Sequence, residues 1–145
     1  MRPLVLLCIL LCKPLMASEA IKEKAQVIAR QYKLDPYLFS AIVEHESQFV
    51  IAAHNKKSKD HGLTQINERT ARAFGLDVVR LKEDPDYALK AGATVLYDFK
   101  RRYARREPTL WWCRYNVGSG PLVGTKLQRC LKYINLVLQY KKESI

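Results

Sequence analysis

Apolar residues recur every three to four positions along most of the chain, a spacing that predicts a succession of helices. The chain starts differently, with an apolar run over residues 4–12 that Lys13 and Pro14 close. Beyond it, Ser18 is placed to cap a first helix carrying Ile21, Ala25, Ile28 and Tyr32 at helical spacing. Asp35-Pro36 pairs a capping side chain with proline at the first helical position. The helix it opens carries Leu38, Phe39, Ile42, Val43 and Glu46. Residues 53–61 turn polar and predict a surface loop or a short hairpin. Asn67 can cap a third helix that Gly75 ends, and Asp84-Pro85 repeats the start signal. The long helix that follows places Ala88, Ala91, Val95 and Phe99 on one side. Gly92 inside it costs helix stability, which predicts a close packing contact there. Glu107-Pro108 breaks that helix, and Thr109 starts a segment over residues 110–116. After a glycine-rich turn at 118–124, a last helix over 127–140 carries Leu127, Leu131, Ile134 and Leu138 as its apolar stripe. No repeat or linker divides the chain, so the expectation is one mainly α domain.

The first apolar run is far shorter than the ~20 residues a membrane span needs. With the basic start Met1-Arg2 and the small residues Ala17 and Ser18, it fits a cleaved secretory signal over residues 1–17. An uncleaved anchor or a hydrophobic first helix are the competing readings. Cleavage leaves residues 18–145 as the working domain, exported to the periplasm or cell envelope, with no stable membrane span. Of the four cysteines only Cys113 and Cys130 would then remain. An even pair in an exported domain suggests a disulfide, against the alternative of two buried thiols. Closing that loop stabilises a fold by about 3 kcal/mol in the chain-entropy model.

Charge narrows the partner less than it first suggests. The full chain has a net charge of +11, and losing Arg2 and Lys13 leaves 23 basic residues against 14 acidic ones, +9. Such a surface draws polyanions: nucleic acid, anionic lipid or an acidic cell wall. The densest clusters are Lys56-Lys57-Ser58-Lys59 and residues 100–106. No nucleic-acid motif accompanies them, and a solvated helix face is the commoner explanation of such runs.

Glu46 breaks the pattern of polar faces. Counted from Phe39, the positions three, four and seven residues on are Ile42, Val43 and Glu46, so the carboxylate shares the apolar stripe. Lost hydration there disfavours the charged form, and the helix C-terminus disfavours negative charge as well. Both push the pKa up, towards an acid still protonated near neutral pH. The bland alternatives are an ion pair with a nearby Lys or Arg, or a helix that ends early. His45, His54 and His61 are expected on the surface, with no metal-ligand spacing among them.

Glu46-Ser47-Gln48-Phe49, then Gly62-Leu63-Thr64-Gln65-Ile66-Asn67, then Ala91-Gly92, then Tyr115-Asn116-Val117-Gly118 together resemble the soluble lytic transglycosylase family of the lysozyme-like superfamily. The likeness spans about residues 36–120 in the family's order. It implies a lysozyme-like fold, peptidoglycan glycan strands as substrate, and no cofactor or metal. Glu46 would be the acid/base with Ser47 supporting it, while Gln65, Asn67, Tyr115 and Asn116 would line the glycan groove. For Asn67 a plain helix cap ranks ahead of the groove role. Gly62 would let the backbone turn closely beside the site. Thr64 stands where the family often has methionine, which would alter one groove wall.

Asp60 is the second departure. Residues 58–67 also resemble the strand of animal-type lysozymes that carries a second catalytic carboxylate. A retaining glycosidase needs two such groups about 5 Å apart. Asp60 could be that group, an electrostatic aid, or a turn residue. Four readings therefore compete: a transglycosylase leaving 1,6-anhydro ends, a muramidase using Asp60, a non-catalytic wall-binding module, and a basic protein that binds nucleic acid or membrane. The small family members this chain resembles serve secretion systems, pili, conjugation machinery or phage entry.

Overall fold

The computed structural model describes residues 4–143 and 145, with side chains from Met16 onward. The expected leader at 1–17 therefore lies almost entirely outside the described side chains, as do Cys8 and Cys12. Seven helices and a small sheet follow one another: α1 (Leu4–Gln31), α2 (Pro36–Ser47), β1 (His54–Asn55), β2 (Asp60–His61), β3 (Ile66–Asn67), α3 (Glu68–Phe74) and α4 (Val78–Glu83). Then come α5 (Pro85–Tyr103), a 3-10 turn at Trp111–Cys113, α6 (Arg114–Val117) and α7 (Gly124–Glu143). The mainly α, lysozyme-like architecture expected from the periodicity and the family likeness is present.

The local start signals act as their chemistry predicts. The Asp35 carboxylate accepts from the backbone N–H groups of Tyr37 and Leu38, ahead of Pro36. Asp84 accepts from the Tyr87 N–H ahead of Pro85, and Asn67 from the Arg69 N–H. Asp77 caps α4 in the same way, a helix the periodicity did not predict. Ser18 is the exception. It lies inside α1, where the preceding turn already engages the backbone amides that a capping hydroxyl would serve.

Phe39, Ile42 and Val43 of α2 form the fully buried centre of the core, with Leu89 and Leu96 of α5 and Leu63 between them. On one side α2 packs against α1 through Ala25, Ile28 and Ala29, and on the other against α7. The face α7 turns inward is Cys130, Tyr133 and Val137. This corrects the expected stripe: Leu131 and Leu138 are exposed, while Leu127 and Ile134 are half-buried. A disulfide joins Cys113 to Cys130 and ties the 3-10 turn to α7.

The polar stretch folds into a three-stranded antiparallel sheet, with Asn55 opposite Asp60 and Asp60 opposite Asn67. Gly62 leaves it at φ +77, and a side-chain carbon there would lie 1.8 Å from the Leu81 carbonyl oxygen. Only glycine fits that approach. Gly92 has a comparable role in α5, since a Cβ would meet the Thr64 side chain at 2.4 Å. The close contact predicted from its position inside a helix is thus with the segment that joins β2 to β3.

Candidate active site

Glu46 is carried into the protein by the helix it stands on. It follows the buried Phe39, Ile42 and Val43 by one more turn and ends half-buried, one residue before the end of α2. Burial pushes its carboxyl up to about 7, from an ordinary 4.5. A hydrogen bond from Tyr133 opposes that shift, and the charge of Asp60 adds to it. The Tyr133 hydroxyl donates to Glu46 Oε1 at 2.8 Å across the α2–α7 contact. One carboxyl oxygen is thereby held by a donor, which leaves Oε2 to carry and deliver the proton.

Tyr133 was missed from the sequence. Its one local signal was an aromatic at helical spacing from Cys130 and Val137, a face that the leucines of α7 outweighed. Replacing it by phenylalanine removes the bond that holds Glu46 down, so the Glu46 pKa should rise further. The expected result for Tyr133→Phe is a loss of about tenfold in any turnover that uses this acid, the scale of one hydrogen bond to a charged group, with the alkaline limb of the pH profile moved upward. A profile that keeps its shape would show that the hydroxyl does not set the acid.

Asp60 lies across a cavity of about 540 Å³ that Glu46 also lines, with Asn67, Tyr115 and Asn116. It is half-buried on β2, and the Ser58 hydroxyl donates to its Oδ2. Asn67 has two engagements: its Oδ1 caps α3, and its amide nitrogen donates to the Ser58 carbonyl. Tyr115 donates its hydroxyl to the Thr64 carbonyl at 2.6 Å, so its ring faces the cavity from a fixed position. Thr64 itself is fully buried and donates to the Ala88 carbonyl. It is packed behind the site against Gly92, which corrects its expected place in the groove wall. Asn116 is exposed on the rim.

Arg114, beside Tyr115, was not expected as a site residue. Only 2% exposed, it grips Glu107 with two hydrogen bonds and donates to the carbonyls of Gly118 and Gly120. That fixes the glycine-rich turn against the cavity.

A second, shallower hollow of about 620 Å³ adjoins the first at Glu46 and Gln65, so the acid stands between the two halves of a groove. Ser47 lines this half, but its hydroxyl donates back to the Val43 carbonyl. Gln65 lines both halves, while its amide nitrogen is engaged with the carbonyls of Ala53 and Gly62. The histidines are not all at the surface as expected. His61 is buried with Nε2 3.2 Å from Glu68, and His54 stacks on it from outside. His45 is half-buried against Tyr133 and Tyr140, where burial pushes its pKa down. Among the described residues no cluster of three or more His, Cys, Asp or Glu is placed to hold a metal ion.

The arrangement is therefore a carboxyl of near-neutral pKa held by a buried phenol midway along an amide-lined groove, with Asp60 facing the deeper half. Two comparisons with known proteins agree with it. Residues 23–131 match the family described as Transglycosylase SLT domain. Protein IpgF of Shigella sonnei is 30% identical over 109 residues, covering 71% of this chain and 68% of that protein. The chain belongs to the SLT-domain transglycosylase family.

Proposed function

We propose that the protein cleaves the β-1,4 bond between N-acetylmuramic acid and N-acetylglucosamine in peptidoglycan, leaving 1,6-anhydro ends. The observation that carries this is Glu46: a carboxyl with a pKa of about 7, set in the middle of an open groove. Protonated Glu46 gives its proton to the glycosidic oxygen as the bond to C1 breaks through an oxocarbenium-like state. The carboxylate so formed then takes the proton of the muramoyl C6 hydroxyl. That oxygen closes on C1, and the acid is regenerated without consuming water. Tyr133 supports the first stage, since its hydrogen bond stabilises the carboxylate formed there. Gln65, Asn67, Tyr115 and Asn116 wall the groove with the amide and ring surfaces that suit sugar hydroxyl and acetamido groups.

Export belongs to the same reading. Residues 1–17 would be a leader, and its removal would place Ser18 at the start of α1. The periplasm or cell envelope is then the working compartment, where the Cys113–Cys130 disulfide persists. Among the described residues no helix is long and apolar enough to cross a membrane. The setting proposed from the family resemblance is opening of the wall for a secretion, pilus, conjugation or phage assembly.

A second reading has its own observation. Asp60 faces the same cavity as Glu46 and acts on its charge, as the second carboxylate of a hydrolase would. Mass spectrometry of fragments released from purified peptidoglycan separates the two. Anhydro ends are expected, abolished by Glu46→Gln, with Asp60→Asn retaining the anhydro product. Reducing ends that vanish in Asp60→Asn would make the protein a muramidase. No fragments from the folded wild-type protein would favour a wall-binding module.

A further inference from the structure

The two halves of the groove hold their cations differently, because only those of the deeper half share it with a second carboxylate. Asp60 faces the deeper half, in company with Arg69 and Arg129. The shallower half has Lys56 and Lys57 on its wall and no carboxylate besides Glu46. Both lysines are exposed on the turn between β1 and β2. Asn55 braces that turn, its Oδ1 accepting from the backbone N–H groups of Lys57 at 3.1 Å and Ser58 at 3.3 Å. Neither ammonium has a hydrogen-bond or ion-pair partner among the described residues. The other basic cluster is placed differently: Lys100 is engaged with the Lys33 carbonyl, Arg101 and Arg102 with Asp98, and the exposed Arg105 and Arg106 line neither hollow. Two adjacent, unpartnered cations on a braced turn, facing a groove, form a receptor for carboxylates carried by whatever lies in it.

We propose that Lys56 and Lys57 bind carboxylates of the peptide stems attached to the glycan, so that the protein selects strands with anionic stems. This deepens the glycan-strand reading and rests on it for the identity of the polymer. A glycan in the groove places its stems along the rim, where the sugars alone offer the lysines little charge. Exposed ion pairs are individually weak, so the expected selectivity is about five- to tenfold for the two together. It should shrink as salt screens the pairs.

The test measures binding rather than cleavage. Full-length protein carrying Glu46→Gln is titrated with purified peptidoglycan strands, before and after their stem carboxylates are converted to neutral methylamides. Untreated strands are expected to bind about five- to tenfold more tightly. The further change Lys56→Gln/Lys57→Gln should bring that ratio close to one. Arg105→Gln/Arg106→Gln removes the same net charge from exposed positions outside both hollows and should leave the ratio intact. The proposal is overturned if the lysine variant keeps the ratio, if both variants lose it equally, or if neither strand binds. Wild-type protein that shows the ratio but releases no fragments would refute the enzymatic reading and leave this one standing.

Discussion

Glu46→Gln is expected to lower glycan cleavage by about 10²–10⁴-fold, the usual contribution of a general acid, while making the folded protein more stable above neutral pH. The second half follows from the same burial that suits Glu46 to catalysis. Its pKa is about 7 in the folded protein against 4.5 ordinarily, so between those values the folded state binds more protons than the unfolded. Stability is therefore complete below the lower value and is lost as pH rises through the upper one. The difference corresponds to about 3 kcal/mol. Glutamine is neutral throughout and keeps an oxygen for the Tyr133 hydroxyl, so it escapes this loss. Urea denaturation should show Glu46→Gln more stable by up to about 3 kcal/mol at about pH 8, with the gap closing by about pH 4. Wild-type activity should hold through the acid range and fall as pH rises through about 7, where the folded acid loses its proton. A stability gap independent of pH would mean that Glu46 is not held protonated by its surroundings, and the catalytic argument would lose its basis.

The residues legible in the sequence are those whose roles are decided within a few positions. Asp35, Asn67 and Asp84 cap helices because a short polar side chain reaches amides two or three residues on. Asp77 carries the same signal, but α4 is only six residues long, too short for periodicity to mark. Glu46 was legible because its strangeness is local, a carboxylate in register with three core residues. Tyr133 was not, because its partner lies 87 residues away and nothing near it in sequence reports which face of α7 meets α2. Simple hydrophobicity favoured Leu131 and Leu138, yet the inward face needs a disulfide sulfur and a phenol. Thr64 was misplaced for a related reason. Adjoining residues of an irregular segment alternate between facing the groove and facing the core, and only the proximity of Gly92 reveals which way this one points.

Arg114→Met should destabilise the protein by about 2–3 kcal/mol, less than the full cost of breaking a buried ion pair from one side because the Glu107 side chain keeps 24% exposure to water. The guanidinium lies 3.8 Å from the centre of the Tyr103 ring and fills its pocket with almost no contact with water. Its Nε and Nη2 both bond Glu107, at 2.7 and 2.5 Å, while Nη1 serves the carbonyls of Gly118 and Gly120. Methionine keeps most of the volume but leaves the Glu107 carboxylate and two carbonyls without their donor. Glu107, which the pair holds below the usual carboxylate range, would return towards it. Chemical denaturation checks the magnitude, and the companion variant Glu107→Gln, which keeps an acceptor, should cost clearly less. Adding Glu107→Leu to Arg114→Met should recover part of the loss, because it removes the stranded charge. A loss below about 1 kcal/mol for Arg114→Met, the scale of an exposed pair, would show that the pair does not hold this corner together. The consequence for catalysis is distinct from that of Glu46. Tyr115 and Asn116 follow Arg114 directly, and the turn it grips closes their side of the cavity. Loosening that wall should weaken glycan binding and raise KM more than it lowers kcat, since the acid and its phenol stand on α2 and α7.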